Sequence, residues 1–257
     1  MNAYVLSHDL QGERQRLALM SELLDPTERR NIRQLGLAPG WRCLEVGCGN
    51  GSIARWLAIQ VGDSGHVVAS DLDTSYIAQL QAPNLEVRQL DILRGPVEQG
   101  QYDLVVARAL LHHLVNPRLA LEWMMSALKP GGALLITEPD MLPATVAEPG
   151  VIRKFWHGWF RWAAAAGIDY FIGSKIAPML DELGAEHISA TGETALFNGG
   201  SPWAVYCVQT VRELRPKLEG LGHVTEEQFA EYEGHFQDPH YWTSAINFVA
   251  TSARKPL

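Results

Sequence analysis

Residues 41–52 read Trp41-Arg42-Cys43-Leu44-Glu45-Val46-Gly47-Cys48-Gly49-Asn50-Gly51-Ser52, a short apolar run ending in three alternating glycines. The residues that follow (SIARWLAIQV, 52–61) put Ile53, Trp56 and Leu57 at helical spacing. A strand, a glycine bend and a helix in that order open a parallel sheet. Without a Cβ, glycine lets the backbone come close to a ligand, and the helix N-terminus faces the bend. In a doubly wound sheet the ligand crevice lies outside the strand C-termini. Asp71, at the end of the next apolar run 20 residues after Gly51, stands where a carboxylate can accept from both hydroxyls of a ribose.

Outward from this unit, strands alternate with helices, the signature of a parallel sheet covered on both faces. Strands are predicted at 66–70 (HVVAS), 85–90 (LEVRQL), 102–107 (YDLVVA) and 133–137 (ALLIT), and helices near 74–81 and 117–128. Upstream, 8–36 reads as helices, with Asp25-Pro26-Thr27-Glu28 opening one and Gly36 stopping it. Beyond residue 150 the rhythm changes. Ile152, Phe155, Trp156, Trp159, Phe160 and Ala163 fall on one helical face, and a helix–turn near 174–184 leads to a strand at 186–191. Ser201-Pro202 opens a helix, Thr225-Glu226-Glu227-Gln228 is a capping box for another, and 245–251 is strand-like.

Length and composition narrow the function. At 257 residues and 28.5 kDa the chain makes one large domain or one domain with an insertion. Apolar residues at 47% and charged residues at 19% exclude a disordered chain, and no apolar run is long enough to span a bilayer. The start lacks a signal peptide's basic and apolar regions, so a cytoplasmic location is expected. Cys43, Cys48 and Cys207 have neither the number for full pairing nor the spacing for zinc, and no metal is expected. The net charge of −8 divides evenly along the chain, which argues against nucleic acid as a partner. Aromatics do not divide evenly: 6 of the 22 lie in residues 1–140, the rest in the last 117. A generic scaffold therefore precedes a wall built around something apolar.

The loop decides between ligands. A dinucleotide fingerprint read from Gly47 would need its last glycine at Ser52. Glu45-Val46-Gly47-Cys48-Gly49-Asn50-Gly51 instead resembles the first motif of class I S-adenosylmethionine-dependent methyltransferases, acid-x-Gly-x-Gly-x-Gly. Asp71 in VVASDLD, Asp91-Ile92, Tyr102-Asp103-Leu104-Val105-Val106 and Leu128-Lys129-Pro130-Gly131-Gly132 resemble later motifs of that family, in order, across residues 36–140. The resemblance implies an α/β fold, a doubly wound, seven-stranded, mainly parallel sheet with a helical cap. It divides the chain into an N-terminal helical segment over the cofactor (1–36), a cofactor-binding core (37–140) and an aromatic-rich cap around the last strands (141–257). It implies S-adenosylmethionine held by backbone around Gly47, Gly49 and Gly51, with Asp71 on ribose and Leu72 beside the adenosine. Asp91 and Ile92 would bracket adenine, and Glu45 would orient the loop or reach the cofactor's amino group. Asp71 and Asp91 have a competing role as caps of the next helix. Tyr4 is a further cofactor contact or a packing residue. Arg108 pairs with a carboxylate of cofactor or acceptor, or bridges to Glu138.

Methyl transfer from a sulfonium needs positioning, and a base only where the acceptor must lose a proton. His112 and His113, just past the fourth strand, are the candidate bases, although one of two adjacent histidines usually points away. His157 has Lys154 and Arg161 as helical neighbours, which favours the exposed side. Phe155, Trp156, Trp159, Phe160, Trp162, Tyr170, Phe171, Trp203 and Tyr206 would wall an apolar or aromatic acceptor, with part of the set serving as ordinary core. Glu138 and Asp140 are the residual candidates for a metal-assisted variant. The expected activity is methyl transfer to oxygen or carbon of a small molecule, in secondary metabolism. Its rivals are a non-methylating binder of the same cofactor and an NAD(P)-dependent oxidoreductase. The oligomeric state stays open, a homodimer among the options.

Overall fold

The structure, a computed structural model, describes residues 12–95, 97–220 and 222–257. Tyr4 lies outside the described residues. Helix α1 (Glu13–Gln34) precedes β1 (Arg42–Val46), α2 (Ser52–Val61), β2 (His66–Asp71), β3 (Leu85–Gln89) and β4 (Tyr102–Arg108). Next come α3 (Pro117–Ala127), β5 (Leu128–Asp140), α4 (Gly150–Ala165), α5 (Ile176–Glu182) and β6 (Glu186–Thr194). A two-residue strand β7 (Phe197–Asn198), α6 (Pro202–Gly220), α7 (Glu226–Gln237), β8 (Trp242–Thr243) and β9 (Asn247–Arg254) complete the order.

Seven strands form one sheet in the order β3-β2-β1-β4-β5-β9-β6, and β7 pairs with β8 apart from it. The first five run parallel, while β9 is antiparallel to both of its neighbours. The central strands are apolar almost throughout because both their faces are covered. Ile32, Ile53, Leu57 and Val61 from α1 and α2 fill one face. Leu121, Met124, Ile176 and Leu180 from α3 and α5 fill the other. The chain order reverses between β1 and β4, so a crevice opens there above the strand C-termini. A third core of Phe155, Trp162, Leu214, Phe229, Tyr232 and Phe236 holds α4, α6 and α7 together as the cap.

Two local expectations are corrected. Residues 8–11 of the expected 8–36 segment lie outside the described residues; in the rest no helix restarts at Asp25, because α1 runs through Pro26, and the Asp25 side chain accepts from Arg29 and Ser52 and pairs with Arg108. Residues 74–81 form turns. Asp73 accepts from the Ser75 amide, and single bonds from Ile77 and Ala78 reach back to Thr74 O. The Asp73 side chain thus gives the backbone a local alternative to a helix.

Candidate functional site

At the C-terminal end of β1 the glycines do what the spacing asks. Gly47, Gly49 and Gly51 all have left-handed backbone, with φ of 71°, 56° and 71°. The left-handed backbone at Gly51 strains any residue with a Cβ, and a Cβ there would also push against the Leu80 and Ile77 side chains. The loop amides are, however, already engaged. Gly47 and Cys48 donate to Ser70 O, Gly49 to Asp71 Oδ2, Gly51 to Cys48 O and Ser52 to Asn50 Oδ1. An anion arriving here meets few donors, whereas a cationic group meets backbone carbonyls and the Glu45 carboxyl.

That carboxyl is under strain. Burial pushes its pKa from 4.5 up to about 8; Arg108 opposes the rise, and Glu28 and Asp25 add to it. Glu45 Oε2 is buried with no hydrogen-bond partner among the described residues. Glu28, also buried, accepts from Thr137 Oγ1 at 2.8 Å, and burial raises its pKa too. Arg108 pairs with Asp25 at 3.0 Å rather than with Glu138. Three buried carboxyls thus surround one guanidinium, and burial favours the protonated form of Glu45 and Glu28 until a cationic group comes beside them.

Glu138, at the end of β5, is held by a different set. Ala109 takes a left-handed φ of 51°, and the backbone after it turns so that three amides converge on the carboxylate. Leu110 and Leu111 N–H donate to Oε1 at 2.8 and 2.7 Å, and His112 N–H donates to Oε2 at 3.3 Å. His112 Nδ1 lies 2.8 Å from the same Oε2. An acceptor-only carboxylate sets the tautomer: Nδ1 carries the proton and Nε2 keeps its lone pair. The two histidines therefore differ. Burial, then the neighbouring His112 and Arg16, push the His113 pKa well below 6.5, so its ring is neutral and weakly basic.

One cavity of about 1020 Å³ joins these groups, at the top of the range for small-molecule sites. Its lining includes Glu45, Gly47, Gly49, Asp71, Leu72, Asp91, Ile92, Arg108, His112 and His113, and from the aromatic set Trp156, Trp159, Tyr170 and Tyr206. Tyr170 lies against His112 with ring centroids 5.4 Å apart. Gly51, Phe155, Phe160, Phe171 and Trp203 do not line it. Gly51 caps α2, Phe155 stacks on Tyr232 in the cap core, Phe160 packs on Phe171, and Trp203 packs on Phe197 and Phe248. Asp71 braces the loop through Gly49, and Asp91 accepts from Leu93 N and pairs with Arg94. His157 is exposed. Asp140 accepts from Leu142 N, and no three His, Cys, Asp or Glu side chains among the described residues gather as a metal ion requires.

Arg16, Met141, Cys207 and Thr210 also face the cavity, and the sequence carried no signal for them. The Glu138 role was equally hidden, because 26 residues separate it from His112. Among the described residues no helix is long and apolar enough to cross a membrane.

Residues 8–190 match a family model described as a methyltransferase domain. A ubiquinone/menaquinone biosynthesis C-methyltransferase of Ectopseudomonas mendocina is 31% identical, over 43% of this chain and 46% of that protein. A ubiquinone biosynthesis O-methyltransferase of Marinobacter nauticus is 27% identical, over 66% of this chain and 74% of its own length. The chain spans about half the length of several of the curated relatives it matches. A phosphoethanolamine N-methyltransferase of Haemonchus contortus, solved with phosphomonomethylethanolamine and S-adenosylhomocysteine, superposes with a TM-score of 0.59 at 18% identity, covering 95% of this chain and 53% of that one, a likeness of fold. A family match across most of the chain, on this sheet order and this loop, means that the chain belongs to the class I S-adenosylmethionine-dependent methyltransferases.

Proposed function

We propose that the protein transfers a methyl group from S-adenosylmethionine to an oxygen or carbon atom of a small apolar or aromatic molecule, with His112 as general base. The observation that carries this reading is the 2.8 Å contact between His112 Nδ1 and a Glu138 fixed by three amides, on the wall of the cavity. A methyl acceptor with a hydroxyl or acidic carbon must lose a proton, and a carboxylate-oriented imidazole is suited to take it on Nε2. The positive charge formed on the ring is then offset by Glu138. His113, neutral and weakly basic, packs beside it with ring centroids 3.8 Å apart.

When bound, the cofactor would supply an activated methyl group to the acceptor's electron pair and keep the released bonding pair on its sulfur. For the chain's own part, Glu45 and the carbonyls around Gly47 and Gly49 suit the cationic end, Asp71 and Leu72 the ribose side, and Asp91 and Ile92 the adenine. We assign residues 37–140 to the cofactor and 141–257 to the acceptor, with Trp156, Trp159, Tyr170 and Tyr206 as the aromatic wall. The C- and O-methyltransferase relatives support oxygen or carbon as the acceptor atom.

The test is incubation with methyl-labelled S-adenosylmethionine and a panel of phenols, quinols and enolisable ketones. His112→Gln should lower transfer by about 10²–10⁴-fold while S-adenosylhomocysteine affinity stays within about twofold. Transfer undiminished in that variant rules out His112 as the base, and no transfer to any member of the panel overturns the acceptor class.

A further inference from the structure

The first turns of α1 lie against the glycine loop. Asn50 Nδ2 donates to Leu17 O at 3.2 Å and to Ser21 Oγ at 3.0 Å, and Asn50 Oδ1 accepts from Ser52 N. The Leu17 side chain packs over Gly49, where a Cβ would lie 3.6 Å from Leu17 Cδ2. Its neighbour Arg16 is 3% exposed and lines the same cavity as Glu45, Gly47 and Gly49. Glu13, buried one turn earlier, holds the guanidinium with both oxygens, on Nε and Nη2, each at 2.7 Å. Nη1 reaches across to α6 and donates to Tyr206 Oη at 3.3 Å. Burying an ion pair brings little stability over an apolar contact of the same size, so packing alone does not account for one on a cavity wall.

The chemistry of the cofactor calls for a cation at this place. Its amino-acid tail carries an ammonium and a carboxylate on one carbon, so a site that takes the ammonium at Glu45 must meet the carboxylate beside it. The loop amides are bonded within the protein and leave an anion few donors. Among the described residues three arginines line the cavity. Arg108 is paired with Asp25 and has Glu28 and Glu45 near it, and Arg94 is a largely exposed side chain paired with Asp91. Arg16 remains, on the turn of α1 that packs on the loop. A guanidinium receives carboxylates through forked faces, and Glu13 holds the Nε/Nη2 fork. The other end is marked by Tyr206, whose long bond to Nη1 can give way to a carboxylate oxygen and whose O–H can then donate to that same carboxylate.

We propose that Arg16, aimed by Glu13 and joined by the Tyr206 O–H, holds the carboxylate of the S-adenosylmethionine tail while Glu45 takes its ammonium. The inference deepens the assignment of the loop to the cofactor and rests on it. Through Tyr206 the cap helix α6 then takes part in cofactor binding, and the two charges of the tail are read from opposite directions, one from the end of β1 and one from α1.

The probes are S-adenosylhomocysteine, which has the same tail, and its decarboxylated analogue, which keeps the thioether and the amine on a bare propyl chain. Each is titrated by calorimetry into the full chain. The unaltered protein should bind S-adenosylhomocysteine at least about tenfold more tightly than the analogue, as one charge-assisted pair implies. Arg16→Gln should lose about tenfold in S-adenosylhomocysteine affinity and stay within about twofold for the analogue, which has no carboxylate to hold. Tyr206→Phe should lose about fivefold for S-adenosylhomocysteine alone, and it decides the matter if Arg16→Gln does not fold. Equal affinity of the unaltered protein for the two ligands, equal losses for both in the variants, or no loss at all overturns the proposal and leaves the Glu13–Arg16 pair a structural one. Failure of the cofactor reading looks different: neither ligand binds, and the proposal falls with it.

Discussion

Glu45 and Glu138 are both buried carboxyls at strand ends, yet their surroundings treat them in opposite ways. Glu138 accepts three amides and an imidazole N–H. Glu45 is pushed up to about 8 by burial and has an oxygen without a partner. Between its ordinary 4.5 and about 8, the folded, ligand-free protein holds a proton at Glu45 that the unfolded chain has released. That contribution to stability is complete below the lower value and is lost as pH rises through the upper one. Denaturant unfolding at several pH values across this window should show stability falling with pH, and Glu45→Gln should flatten the slope. Equal slopes in both proteins would mean that Glu45 does not carry that proton. The residue types at this site were legible from the loop, because Glu45 and the glycines are neighbours in sequence. Their partners were not. Asp25 meets Arg108, Glu138 meets His112 and Arg16 meets Tyr206 across 83, 26 and 190 positions, and nothing local encodes such pairings.

Among the elements, those whose ends are built from adjacent residues were readable. The Thr225 side chain accepts from Gln228 N and Gln228 Oε1 accepts from Thr225 N, the reciprocal box that its spacing predicts for α7. Thr225→Ala should cost about 1 kcal/mol of stability in thermal or denaturant unfolding and leave cofactor affinity alone, because α7 packs within the cap core. A fall in cofactor affinity would instead show that the cap and the glycine loop are coupled. The same kind of signal misled at Asp25-Pro26-Thr27-Glu28. There the Asp25 side chain turned to Ser52 and Arg108, tertiary partners that outweigh a local cap. Helix α4 shows a related limit. Its aromatic face was plain, but the division between Trp156 and Trp159 on the cavity and Phe155 in the cap core depends on where α7 lies.

At the scale of the whole molecule, ligand binding and folding are linked through a loop whose amides are already satisfied. S-adenosylhomocysteine at about a hundred times its dissociation constant should stabilise the folded state by about 2.7 kcal/mol, a rise in melting temperature of roughly 5–10 °C. NADH should leave the melting curve unchanged, since its pyrophosphate would find few free donors at the loop. Stabilisation by NADH would refute that account of the loop. Two of the three cores lie on the sheet and the third lies in the cap, built by excursions between β5 and β6 and between β6 and β9.

The strand that ends the described order, β9, is not at the sheet's edge but between β5 and β6, pairing with β5 along its own whole length and with β6 along nearly all of it. During synthesis the ribosome delivers β5 roughly a hundred residues before its neighbour. At about 5–20 residues per second the emerging chain carries an open, apolar strand edge for roughly 5–20 s. In that interval β6 can be made but has no place to dock. Nascent chains of this protein should therefore depend on chaperones that shield strand edges, and the dependence should end when residues 247–254 clear the exit tunnel.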